Sequence, residues 1–204
     1  MSGPYDDGYR ACPCFWGNLP GSLMLRVTDI EDLGGKRILD AGCGEGKNAA
    51  FAASLGASVD AVDVSELALE HGKRILGATV GINWHLGDIR ECLFFRGAYD
   101  VVIAYGLLHC LPSEHALRDT VKRLRALTRN DGLHVICAFN SRMQELHAHP
   151  GFEPTLLSHD ALTGLYGADD ILFQSDTNLT EAHPHNRITH THSLTRIIAR
   201  VKHG

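Results

Sequence analysis

RILDAGCGEGKNAAF, residues 37–51, decides the fold. An apolar run through Ile38 and Leu39 ends in Asp40. Gly42, Gly44 and Gly46 follow at alternate positions, and an alanine-rich stretch begins after Asn48. A strand that turns tightly into a helix is written this way, because glycine tolerates the turn and lets a ligand approach the main chain. The dinucleotide fingerprint G-x-G-x-x-G fails, because Lys47 stands where its last glycine belongs.

Outward from this turn, apolar runs alternate with amphipathic stretches. KRILDA (36–41), SVDAVDV (58–64), INWHL (82–86), YDVVIAYG (99–106) and LHVICAF (133–139) read as strands. NAAFAASLG (48–56) reads as a helix ended by Gly56. SELALEHGKRIL (65–76) reads as a helix with Ser65 as N-cap. In 113–129, Ala116, Leu117, Val121, Leu124 and Leu127 fall near one helical face. Asn130-Asp131-Gly132 reads as a turn. This alternation predicts an α/β fold: a doubly wound, Rossmann-like and mostly parallel sheet. Runs such as VVIA suit strands buried on both faces. After 140 the pattern changes to a polar loop (141–157), a short helix (158–167) and two strands (170–176 and 187–201) joined by a Pro-His-Asn turn. An antiparallel hairpin closing the sheet fits them. Residues 1–35 read as a separate lead-in or lid segment, and 36–204 as the main domain.

The 204 residues carry a net charge of −5 and no basic block, which leaves a nucleic-acid role without an electrostatic footprint. The acidic N-terminus does not read as a signal peptide. No apolar run approaches the roughly 18 to 20 residues of a membrane helix. The six cysteines follow no disulfide or zinc-ribbon spacing, so a reducing, cytoplasmic setting is expected.

Two further acids follow the strands in order: Asp63 closes the second, and Asp88 follows the third. G-x-G-x-G preceded by an acid, with these two behind it, resembles the class I S-adenosylmethionine (SAM) methyltransferases over about 36 to 140. FWGNLPGSL (15–23) ahead of LDAGCGEGKN is most similar to the small tellurite-resistance (TehB-like) and thiopurine-methyltransferase-like enzymes. The resemblance implies a seven-stranded sheet with an antiparallel last strand. It also implies SAM as cofactor, held by Asp40, Gly42, Cys43, Gly44, Gly46, Asn48, Asp63, Val64, Asp88, Ile89 and Tyr105. Asp63 would take the ribose hydroxyls and Asp88 the adenine amino group.

Methyl transfer from a sulfonium needs in-line positioning and exclusion of water, and a base only where the nucleophile carries a proton. The expected partner is a small-molecule acceptor, favoured as a thiol, selenium or tellurium species. An oxygen or nitrogen acceptor and a SAM-binding sensor without turnover are the alternatives. Strand four ends in AYGLLH rather than the Asn/Asp-Pro-Pro-Tyr/Phe of many nucleic-acid adenine methyltransferases. A monomer or homodimer is expected. Candidates for the acceptor side are Tyr105 and His109 after strand four, Arg142 after strand five, and Phe15 and Trp16 as a lid. His147 and His149 read as solvated loop residues. EAHPHNRITHTH (181–192) holds four histidines. His190 and His192 share one strand face. A metal needs a third or fourth ligand, which His183 and His185 supply only if the turn folds back. The resemblance instead implies that His183, His185 and Arg187 orient the acceptor or take a proton, so no metal is expected.

Overall fold

A computed structural model describes residues 6–76, 80–94, 98–183 and 187–203. Its strands are β1 (Arg37–Ala41), β2 (Ser58–Asp63), β3 (Ile82–Leu86), β4 (Tyr99–Tyr105), β5 (Thr128–Gln144), β6 (Asp170–Glu181) and β7 (His190–Arg200). Its helices are α1 (Asp6–Ala11), α2 (Ser22–Val27), α3 (Lys47–Ser54), α4 (Glu66–Leu76), α5 (Glu114–Leu127) and α6 (His159–Gly164). One seven-stranded sheet runs in the order β3-β2-β1-β4-β5-β7-β6. β1 to β5 pair in parallel, and β7 lies antiparallel between β5 and β6.

Successive residues of the central strands point to opposite faces, and both faces are buried. Leu39 and Val102 meet Leu117, Val121, Leu124 and Leu127 of α5 on one side. Ile38, Val101 and Ile103 meet Leu23, Met24 and Val27 of α2 on the other. Ser113 caps α5 by accepting the Ala116 N–H, and Ser65 caps α4 through the Ala68 N–H. Each satisfies one of the N–H donors a helix start leaves without a partner.

The lead-in is not separate. Leu23, Met24, Val27 and Leu33 are almost fully buried and complete one face of the core. The predicted turn at 130–132 does not precede β5 but lies within it. Thr128 already pairs with Tyr99, and the ladder resumes at Leu133 past a bulge in which Asp131 takes a φ of 62°. The predicted polar loop also starts later, because β5 runs on to Gln144. Ser193 supports that extension, its hydroxyl accepting the Met143 N–H at 2.9 Å. The Pro184-His185-Asn186 turn lies outside the described residues. No helix among the described residues is long and apolar enough to cross a membrane.

Candidate active site

The parallel strands end at one edge of the sheet, and the strand order reverses between β1 and β4. That reversal opens the crevice where α/β sheets bind ligands. β7 runs the other way, so its first residue, His190, starts at this same edge, paired with Glu181 at the end of β6. The sheet topology thus brings the histidine-rich stretch to the glycine turn.

Gly42, Gly44 and Gly46 all take left-handed backbone, with φ of 70°, 55° and 80°. Gly44 also has no room for a side chain: a Cβ there would stand 2.7 Å from the Tyr9 hydroxyl. The Gly44 N–H donates to Asp63 Oδ2 at 2.7 Å, and the Ser65 N–H to Asp63 Oδ1 at 2.9 Å. Burial nevertheless raises the Asp63 carboxyl above its usual range. Asp40 lies deeper, at 1% exposure. Its carboxyl takes the Ala49 N–H, but Oδ2 has no hydrogen-bond partner among the described residues. Burial, aided by the nearby Asp63, pushes its pKa up to about 7. Beyond Asp63, Val64 presents an exposed apolar side chain. Asp88 is gripped by the Arg90 guanidinium through both oxygens, which holds its carboxyl low. Ile89 is buried in the core.

Residues 12–21 form a strap across the turn. Glu45 accepts the Cys14 N–H at 2.8 Å and the Phe15 N–H at 3.0 Å. Lys47 donates to the Trp16 carbonyl at 2.7 Å, and Asn48 accepts the Gly21 N–H at 2.8 Å. The Tyr105 ring packs directly under Gly21. Phe15 stacks on His183, with centroids 4.8 Å apart and planes at 15°. Trp16 stands edge-on to His183 and stacks over His149. Residues 12–21 therefore pack over both the glycine turn and the histidines.

The acceptor-side candidates separate. His109 is buried and stacked on Phe139, and its Nδ1 accepts the Phe139 N–H at 3.1 Å. Burial lowers its pKa to about 3. The ring is neutral with its proton on Nε2, so neither nitrogen offers a lone pair for base catalysis. Arg142 is turned away and committed to Asp176 and Asn178. Arg187 is exposed, with a φ of 54°, and its N–H donates to the His183 carbonyl. His185 lies outside the described residues. His183 does fold back, buried at 3% exposure.

His147 is exposed as expected, but His149 is not a solvated loop residue. A 3₁₀ turn, Leu146–Ala148, delivers it under Trp16, with Nε2 3.0 Å from that of His190. His190 and His192 are both fully buried. The imidazole neighbour that the sequence did not reveal for this pair comes from a segment some forty residues upstream. Tyr9, Glu45 and Lys47 were likewise missed. Glu45 and Lys47 are interleaved with the glycines, and two charged residues in a turn too tight to need them are the signal that points to them.

Residues 38–132 match the family model described as a methyltransferase domain. Three uncharacterized methyltransferases of Schizosaccharomyces pombe are 34% identical over 82 residues, 39% of this chain. The match spans 57% of those relatives' length, so the chain covers little more than half of them. Among solved structures, TehB from Haemophilus influenzae superposes with a TM-score of 0.75 at 18% identity, over 89% of this chain and 62% of that one. A structure reported for the conversion of a disulfide bond into a thioacetal group during echinomycin biosynthesis gives 0.71 at 22% identity, over 91% and 84%. At these identities the likeness establishes the fold.

Proposed function

We propose that the chain is a class I SAM-dependent methyltransferase and that it methylates a small-molecule thiol, selenium or tellurium species. The observation that carries the cofactor assignment is Asp40. Its buried, unpartnered oxygen beneath a glycine cradle lacks what a positively charged ligand brings. Gly42, Cys43, Gly44 and Gly46 offer main chain to the amino-acid part of SAM, with Asn48 behind them. Asp63 offers its remaining lone pairs to the ribose hydroxyls. Val64 provides exposed apolar surface for the adenine, and Asp88 an acceptor for its amino group.

When bound, SAM supplies a methyl group on a sulfonium, already an excellent leaving group. What remains for the chain is orientation and exclusion of water. The strap, latched by Glu45, Lys47 and Asn48, lies over the glycine turn, carrying Phe15 and Trp16, with Tyr105 packed under its Gly21. His109, the base nearest the end of β4, has its lone pair on the Phe139 N–H. An acceptor that arrives as an anion needs no base, which favours a soft chalcogen nucleophile over an alcohol or amine. The family resemblance to TehB-like enzymes and the sulfur chemistry named for the echinomycin structure support the same class.

Incubation with SAM and a panel of thiols, selenite, phenols and amines, followed by mass spectrometry, tests this. Methylated thiol or selenium products are expected. Methylation of phenols or amines in preference would move the acceptor to oxygen or nitrogen. SAM binding without turnover on any of them would make the chain a sensor.

A further inference from the structure

The geometry points to a divalent transition-metal site, of the zinc class, formed by the Nε2 atoms of His149, His190 and His192, with His183 and Glu181 beside them. The four imidazoles come from three separate segments and turn the same nitrogen inward. His149 Nε2 lies 3.0 Å from that of His190, 3.3 Å from that of His183 and 3.3 Å from that of His192. A tetrahedral ion with bonds of about 2.0 to 2.1 Å to nitrogen sets its ligand atoms about 3.3 Å apart. Glu181 Oε1 stands 3.9 Å from His190 Nε2, within range of the same centre. The ligand atoms of His149, His190 and His192 all lie within 4.8 Å of one another, as do those of Glu181, His183 and His190.

Hydrogen bonds behind two of the rings set their orientation. His190 Nδ1 lies 2.8 Å from the Ile188 carbonyl, an acceptor, so Nδ1 carries the proton. His192 Nδ1 lies 2.7 Å from Gln144 Oε1. That oxygen is fixed as the acceptor because the Gln144 amide nitrogen donates to the Asn140 and Ser193 carbonyls. Both rings therefore turn Nε2 toward His149 Nε2. The converging nitrogens suit a cation, and a carbonyl or amide oxygen behind Nδ1 of His190 and of His192 is the outer support that orients metal-bound histidines. Aromatic rings close the shell: Phe15 on His183, Trp16 over His149, and Phe139 on His192 at 4.1 Å.

Imidazole nitrogens suit zinc, copper, nickel, cobalt and iron rather than magnesium or calcium. Three imidazoles leave a further position, beside which His183 and Glu181 stand. The ion would pin the turn before His149 to β7, under the strap. The site stands apart from the methyl-transfer reading, and its test needs no turnover.

The test takes the full chain stripped of metal and adds Co²⁺ as the probe. One equivalent should bind with the visible absorption of nitrogen-ligated, low-coordinate cobalt, and Zn²⁺ should displace it and raise Tm. His149→Ala changes a half-buried turn residue. It should weaken Co²⁺ binding more than about 100-fold, beyond the loss typical of an outer partner, while the metal-free protein keeps its circular dichroism and melting. His115→Ala, on the exposed face of α5, should bind as wild type does. If His149→Ala fails to fold, His192→Asn is read in the same way. Binding of less than one equivalent by wild type, or wild-type affinity in both ligand variants, overturns the site.

Discussion

Asp40 is the residue whose energetics bear most directly on the cofactor. Its folded pKa of about 7 stands above the ordinary 3.8 because burial disfavours the charge. The folded state therefore holds a proton that the unfolded state has released. Without ligand, the contribution is fully present below about pH 4 and is lost as the pH rises to about 7. A shift of this size corresponds to roughly 4 kcal/mol as an upper bound. Asp40→Asn should abolish that slope, so wild type minus variant, by urea denaturation from pH 4 to 8, should fall with pH and then level. A flat difference would show that the carboxyl is already satisfied. Asp40 and Asp63 were legible in the sequence because each ends an apolar strand, and that position is local information. Tyr9 and Glu45 were not, since their roles rest on a segment some thirty residues away that no periodicity connects to the turn. His149 was obscured for the same reason: it sits in a polar stretch whose partners lie forty residues on.

At the scale of elements, the strap is held by polar latches more than by a core of its own. Glu45 carries two of them, and hydrogen bonds to a charged acceptor contribute about 1.5 to 3 kcal/mol. Glu45→Ala should speed amide hydrogen exchange at Cys14 and Phe15 by roughly 10- to 100-fold, with β1 and β4 unaffected. Unchanged exchange at those two amides would mean that Phe15 and Trp16 hold the strap through packing alone. The parallel strands were readable because both faces are apolar, and α5 because its stripe is regular. The two ends of β5 were not. At one end, left-handed Asp131 bends the chain without breaking the ladder. At the other, Ser193 supplies the hydrogen bonds that extend the strand. Both depend on a neighbour across the sheet. The lead-in was misjudged because α2 is only one and a half turns long, too short to show a period, yet Leu23, Met24 and Val27 fill the core.

At the scale of the molecule, the sheet order gathers the chemistry at one edge. The reversal between β1 and β4 opens the crevice, and the antiparallel β7 returns the histidines to it. Acceptor chemistry and metal binding both rest on that arrangement, but the central claim is that the crevice holds SAM. Isothermal titration of the wild type with SAM and S-adenosylhomocysteine, set against Asp63→Ala and against NAD, tests it most directly. The account predicts micromolar binding of both adenosyl ligands, no binding of NAD, and a loss of about 1.5 to 3 kcal/mol in Asp63→Ala, the worth of hydrogen bonds to a charged group. Equal affinity in Asp63→Ala, or binding of NAD in place of SAM, would contradict it.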